Sequence, residues 1–180
     1  TLVTVAEAAE GSTSPERDQP ALQRLLGLCA SLAEGTPAAR AARRSALWAV
    51  AQRLRGIPLA WPAAVDVFVA ALDAAAPAEA AAHLAEWHRL APSPRQARLL
   101  EGAAVHLVRP EAAWSAAALR TLCDGLLADP QLRLVALALL AAFAAPEGWP
   151  ADCRARLDAL RHDADADVRA EARRVFVAAE

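Results

Sequence analysis

"AWSAAALRTLCDGLLADPQLRLVALALLAAF", residues 113–143, and "GWPADCRARLDALRHDADADVRAEARRVF", residues 148–176, are two versions of one pattern. Trp114 and Trp149 stand 35 apart, as do Leu122 and Leu157; Leu132-Arg133 and Val168-Arg169 stand 36 apart, followed by Ala136 against Ala172 and Leu140 against Phe176. In each copy apolar residues recur at three- and four-residue spacing, break at a polar turn, and resume. That spacing predicts two amphipathic helices per copy. Self-similarity at such a period marks a unit that buries its apolar faces against its neighbours.

Further from these copies, prolines punctuate the chain at intervals of one helix: Pro20, Pro37, Pro62, Pro77, Pro94, Pro110, Pro130 and Pro150. Proline is tolerated in the first turn of a helix and disruptive later. The spacing therefore predicts about nine helices, at residues 20–34, 37–55, 62–75, 77–91, 94–109, 111–128, 130–144, 150–162 and 165–179. In the last two the core stripes are Trp149, Cys153, Leu157, Leu160 and Val168, Ala172, Val175, Phe176. Short links make successive helices antiparallel. "WPAAVDVFVAALD" from Trp61 echoes the "WPADCRARLDALR" helix, and "TPAAR" ending at Arg40 echoes "DPQLR" ending at Arg133. Trp61 precedes Trp114 by 53 residues, one period plus an extra helix, so the fifth helix is an insertion or part of a three-helix unit.

Composition points the same way. Hydrophobic residues make up 56% of the 180, but aromatic residues only 4%, and alanine and leucine supply most of the rest. That mixture suits close-packed helices and lacks the β-branched and aromatic faces of a sheet, so the expected fold class is all-α. The net charge is -2, divided evenly between the halves, which leaves no basic arm and no acidic tail. Lysine is absent, and the Ala/Arg-rich usage suggests a GC-rich bacterial source. With no Met at residue 1, the chain reads as a piece of something longer. Residues 1–19 read as a flexible leader or linker and residues 20–180 as one helical-repeat domain.

The aspartates at 163, 165 and 167 raise the question of a metal. A calcium loop of the EF-hand type using them as its first three ligands needs Gly at the sixth position and Glu at the twelfth. Val168 and Arg174 occupy those places. The acids are better read as the start of a helix, with Asp165 as its cap. No metal and no cofactor is expected.

Enzyme signatures are scarce. Without lysine there is no Walker-type loop and no Schiff base; there is no G-x-S-x-G, C-x-x-C or H-E-x-x-H, and tyrosine is absent. Glu79, His83 and Glu86, with His88 nearby, form one compact polar group that reads as a solvated helix face, and His106 and His162 read as surface residues. Cys29, Cys123 and Cys153 read as buried thiols of a reducing compartment, which places the protein in the cytoplasm. The longest apolar run, from Leu134 to the proline at 146, is too short for the roughly 20 residues of a membrane span.

One helix, "PAARAARRSALWAVAQRLR", carries five arginines and no acid. Arg40, Arg44, Trp48, Gln52 and Arg55 share a stripe opposite Leu47, Val50 and Leu54. That stripe is either a partner-binding face or a second packed interface in which the arginines snorkel around Trp48.

"LDALRHDADADVRAEARRVF" resembles a HEAT-type repeat: an apolar helix, a turn with an acidic residue, then an apolar-Arg pair opening a second helix. The likeness covers residues 148–176 and 113–140. It implies a short α-solenoid of antiparallel helix pairs, with Asp163 as the turn aspartate, Val168 in the core and Arg169 tying adjacent repeats together. In the earlier copy Leu127 stands where the turn acid belongs, Asp129 substitutes, and Arg133 takes the arginine's place. The function implied is a non-catalytic module binding another protein or another part of its parent chain. A nucleic-acid-binding module with an Arg-rich face is the alternative, and a HEAT-like DNA glycosylase a third.

Overall fold

The computed structural model describes residues 37–56, 60–72, 75–108 and 114–177. The leader at 1–19, the helix expected at 20–34 and Cys29 lie outside them. The described residues are helical, with no strand among them. The helices are α1 (Pro37–Arg55), α2 (Trp61–Ala71), α3 (Pro77–Leu90), α4 (Pro94–Ala97), α5 (Leu99–Ala104), α6 (Ala116–Leu127), α7 (Arg133–Ala144), α8 (Ala151–Arg161) and α9 (Ala166–Arg174). Short 3₁₀ turns at Val105–Val108 and Pro130–Leu132 come after α5 and before α7. None of these helices is long and apolar enough to cross a membrane.

The chain divides into two compact units. In the first, α1 packs on α2. Leu47, Val50 and Leu54 supply the buried stripe of α1 and are at most 6% exposed. Helix α2 is apolar on almost every side, so Trp61, Val65, Phe68 and Val69 are all buried.

The second unit, residues 75–108 with 114 onward, contains α3 to α9. Helices α3 and α6 pack side by side, and so do α5 with α7 and α7 with α9. Each pair is also closed internally, α6 on α7 and α8 on α9. One layer therefore holds α3, α6 and α8, and the other holds α4/α5, α7 and α9. Two ion pairs fix the direction of α6 and α8: Arg120 meets Asp152, and one turn further along Asp124 meets Arg156. Both contacts have the same 32-residue offset, which only parallel neighbours keep.

The second-layer helices begin alike. The Ser93 hydroxyl accepts from the Gln96 N–H at 3.3 Å, the Asp129 carboxylate from Gln131 at 3.0 Å, and the Asp165 carboxylate from Asp167 at 2.8 Å and Val168 at 3.4 Å. These caps stand 36 residues apart, so one local device satisfies orphan N–H groups in each pair.

Four boundaries differ from expectation. The helix expected over 62–75 ends at Ala71. The helix expected over 94–109 is broken at Arg98 and tightens into a 3₁₀ turn, where Gly102 and the β-branched Val105 weaken the α geometry. The helix expected from residue 111 begins only at Ala116, capped by Ser115. The last helix stops at Arg174 instead of 179, so Phe176 is 84% exposed and not a core residue. The Arg161 guanidinium donates to the carbonyls of Ala172 and Val175 and occupies acceptors that continued helix would use.

Candidate functional site

The arginine stripe of α1 is only partly in view, since the Arg40 side chain lies outside the described residues. Arg44, Trp48, Gln52 and Arg55 are all half-buried. The Trp48 ring lies 5.8 Å from that of Phe68 on α2, tilted by 54°, a favourable aromatic arrangement. Trp48 thus serves a packed contact between α1 and α2.

The acidic ladder is engaged throughout. Asp163 accepts two hydrogen bonds of 3.0 Å from Nη1 of Arg133 at the start of α7, and its Oδ1 also accepts from the Asp165 N–H. The side chains of Arg133 and Asp163 are only 27% and 9% exposed, so this ion pair is largely withdrawn from water. Asp165 is a cap. Asp167 meets Arg98 at 3.3 Å. Val168 is buried, as the HEAT-type pattern implies. Among the described residues no group of three His, Cys, Asp or Glu side chains is placed to hold a metal.

Arg169 departs from the role the resemblance gives it. Its guanidinium donates to the carbonyls of Asp163 and Ala164, at 2.6 and 2.7 Å, and so tightens the turn before its own helix. Arg133, which holds the equivalent place in the preceding pair, makes the link between pairs. The difference lies in the neighbouring pair: Arg133 has another turn aspartate beyond it, and no such acid meets Arg169 among the described residues.

A second charge cluster bridges α6 and α8. Arg156 donates to Asp124 at 2.7 and 2.9 Å and to Asp152 at 2.9 Å, while Arg120 contacts Asp152 at 3.2 Å and Glu147 at 3.0 Å. The signs alternate from one side chain to the next. Desolvation pushes the Asp152 pKa up, but Arg120 and Arg156 outweigh it and hold the carboxyl below its ordinary range. The Arg156 pKa is raised, chiefly by its hydrogen bond to Asp124. Sequence reasoning misses this cluster. Its signal is an Arg-x-x-x-Asp in α6 and an Asp-x-x-x-Arg in α8, which become complementary only when the two helices lie parallel and in contact.

The remaining polar candidates are local. His83 lies 3.7 Å from Glu79 and 3.9 Å from Glu86 on one partly exposed face of α3. Burial lowers the His88 pKa, opposed by the charge of Asp129. His162 is exposed and its Nδ1 lies 2.8 Å from the Asp158 carbonyl, while His106 is half-buried. Cys123 and Cys153 are free and buried, and burial pushes the Cys123 thiol up to about 12, which leaves it a thiol and not a nucleophile.

One turn carries backbone strain. Trp149 has φ of 58°, a left-handed conformation uncommon for a bulky residue, and comes after Gly148 at φ 71°. Burial of the indole holds it there, together with Arg154, whose Nε donates to the Trp149 carbonyl at 2.6 Å.

No known protein family, no curated protein and no solved structure matches the chain. What its own geometry defines is a class: an all-α protein whose described charged side chains are spent largely on one another.

Proposed function

We propose that this chain is a non-catalytic interaction module, a short α-solenoid of HEAT type that binds another protein or another part of its parent chain. The observation that carries the reading is the Arg133–Asp163 pair. It joins the first turn of one second-layer helix to the turn of the next helix pair, the kind of link that a stack of helix pairs needs. An extended face built from such a stack suits recognition of a macromolecule.

Charge favours a protein partner over nucleic acid. Arg98, Arg133 and Arg169, three of the five arginines that a positive groove would use beside Arg40 and Arg44, are each engaged by a carboxylate or by backbone carbonyls. Phosphate backbones are gripped by cations that are free to exchange counterions. The test has two arms. Photo-crosslinking from half-buried positions of α7 and exposed positions of α9 in the native host, then mass spectrometry and titration of the purified partner, is expected to return a protein bound saturably. Titration with a generic DNA duplex at low ionic strength is expected to show no saturable binding; saturable, steeply salt-dependent binding replaces this reading with the nucleic-acid one.

A further inference from the structure

Most arginines of the described residues meet a carboxylate or a backbone carbonyl, but Arg89 and Arg95 make no such contact there, and both are exposed. They flank one corner of the second unit, Arg89 in the last turn of α3 and Arg95 in the first turn of α4. The same stretch carries Leu90 at 45% and Leu99 at 38% exposed, two of the three large apolar side chains displayed to solvent among the described residues. From residue 87 to residue 100 there is no acid.

The other two corners of this unit are built with acids. Asp129 caps the turn before α7 and Asp165 caps α9, whereas Ser93 caps α4 without charge. Two residues beyond each cap stand Arg95, Gln131 and Asp167, so the α3–α4 corner is the positive one. It is also held in shape. Pro92 and Pro94 restrict the backbone, and Ser93 accepts from the Gln96 N–H while donating to the Gln96 side-chain oxygen at 3.1 Å. A preformed site loses little freedom on binding. The chain from Leu90 to Pro94 spans at most about 14 Å, and the helical turns from Pro94 to Leu99 add about 8 Å. A short peptide reaches across both.

Arg98 shows what these side chains take up: it belongs to the same stretch, an acid of α9 lies within reach, and it meets that acid, Asp167, at 3.3 Å. Arg89 and Arg95 present the same forked N–H donors, which match a carboxylate. Leu90 and Leu99 gain by being covered with apolar side chains, which a phosphate backbone does not offer. We propose that the α3–α4 corner, through Arg89, Arg95, Leu90 and Leu99, binds an acidic segment of a partner protein in which carboxylates flank apolar side chains. This names the chemistry of the partner and rests on the reading of the chain as an interaction module.

Selection from a random peptide library displayed on phage reads that chemistry directly. With the full chain as bait at low ionic strength, sequences rich in Asp and Glu with Leu, Ile or Phe between them are expected to be enriched. Synthetic peptides of the selected sequences are then titrated against variants whose Tm is measured alongside. Arg89→Glu with Arg95→Glu is expected to weaken binding about tenfold or more at unchanged Tm, because both side chains are exposed. Leu90→Gln with Leu99→Gln is expected to weaken it several-fold, and Arg89→Lys with Arg95→Lys to retain most of it. Neutral or basic selected sequences, no enrichment at all, or acidic peptides that bind the charge-reversed variant equally well overturn the proposal. Saturable binding to vesicles of anionic phospholipid that needs the two arginines, with no acidic peptide selected, overturns it in favour of a membrane surface. A partner crosslinked from α7 or α9 while no acidic peptide is selected sinks the corner and leaves the module reading standing. Acidic peptides that need Arg89 and Arg95 sustain the corner even where crosslinking returns no partner.

Discussion

Replacing Arg133 by alanine isolates the contact that joins two helix pairs. The substitution removes both 3.0 Å hydrogen bonds to Asp163 and leaves a carboxylate only 9% exposed, with the Asp165 N–H as its remaining donor. Loss of a hydrogen bond to a charged group costs about 1.5–3 kcal/mol. Stripping a fully buried charge of its partner costs about 3–5 kcal/mol. Arg133 is 27% exposed, so water partly replaces it, and the lower range applies: about 2–3 kcal/mol. For a chain of this size that is a fall in Tm of about 4–12 °C. Denaturant unfolding monitored by circular dichroism measures the loss. A cycle with Asp163→Asn then separates the pair from its surroundings, since contacting residues couple and independent ones add. A loss below about 0.5 kcal/mol, or additive single effects, would place this bridge among ordinary surface ion pairs and refute the argument for a tied stack. Arg169→Ala tests the contrast. Its carbonyl contacts lie within a single turn, so its effect is expected to add to that of Arg133→Ala without coupling.

Trp48→Ala is expected to cost about 2–4 kcal/mol, less than a fully buried tryptophan because the ring is half-exposed, and a denaturant midpoint unchanged from the parent contradicts the packing against Phe68. His88 and Glu101 give pH dependences of opposite sign. The folded pKa of His88 lies below its unfolded value, so the unfolded chain binds the extra proton and stability falls as pH drops below about 6.5; His88→Gln is expected to flatten that slope of Tm against pH. The folded pKa of Glu101 lies above its unfolded value, so stability falls as pH rises through and above about 4.5, and Glu101→Gln is expected to raise Tm at neutral pH; a lowered Tm contradicts it. Cys123 and Cys153 are expected to resist alkylation in the native protein near neutral pH and to react on unfolding, read by intact mass. Millimolar calcium is expected to leave Tm unchanged, because Asp163 and Asp165 already have donors; a saturable rise would reinstate a metal at the acidic ladder.

Much of the fold is legible in the sequence because it is written locally. Pro77 and Pro130 open helical elements as the proline spacing requires, Asp165 caps α9, and Val168 is buried at the position its spacing assigns. Ser93-Pro94 carries the same cap signal 36 residues before Asp129-Pro130. What stays hidden depends on partners distant in sequence. Arg133 and Arg169 are equivalent by position, yet only one meets an aspartate from the next pair, and nothing in either helix records that. The end of α9 is hidden for a similar reason: Val175 and Phe176 keep helical spacing, but an arginine from α8 takes the carbonyls. On α1 the stripe is legible and its role is not, because the Trp48–Phe68 contact depends on how α2 lies against it.

The outward side of α8 and α9 bears on self-assembly. A stack in which each helix pair covers the last is a heterologous, non-closing contact, and its free end is a template on which another molecule could add, and another, into a fibre. Among the described residues the outward side of α8 and α9 displays Asp158, Arg173 and Arg174 to solvent, and Arg161 has taken two carbonyls of α9 and the residue after it. Whatever lies beyond residue 177, a second copy docking there would have to strip water from these charges without a matching set to receive them. Addition of a second copy on this side is thus opposed by these charges, and Phe176, the one large apolar side chain exposed there among the described residues, is too small a patch to reverse it.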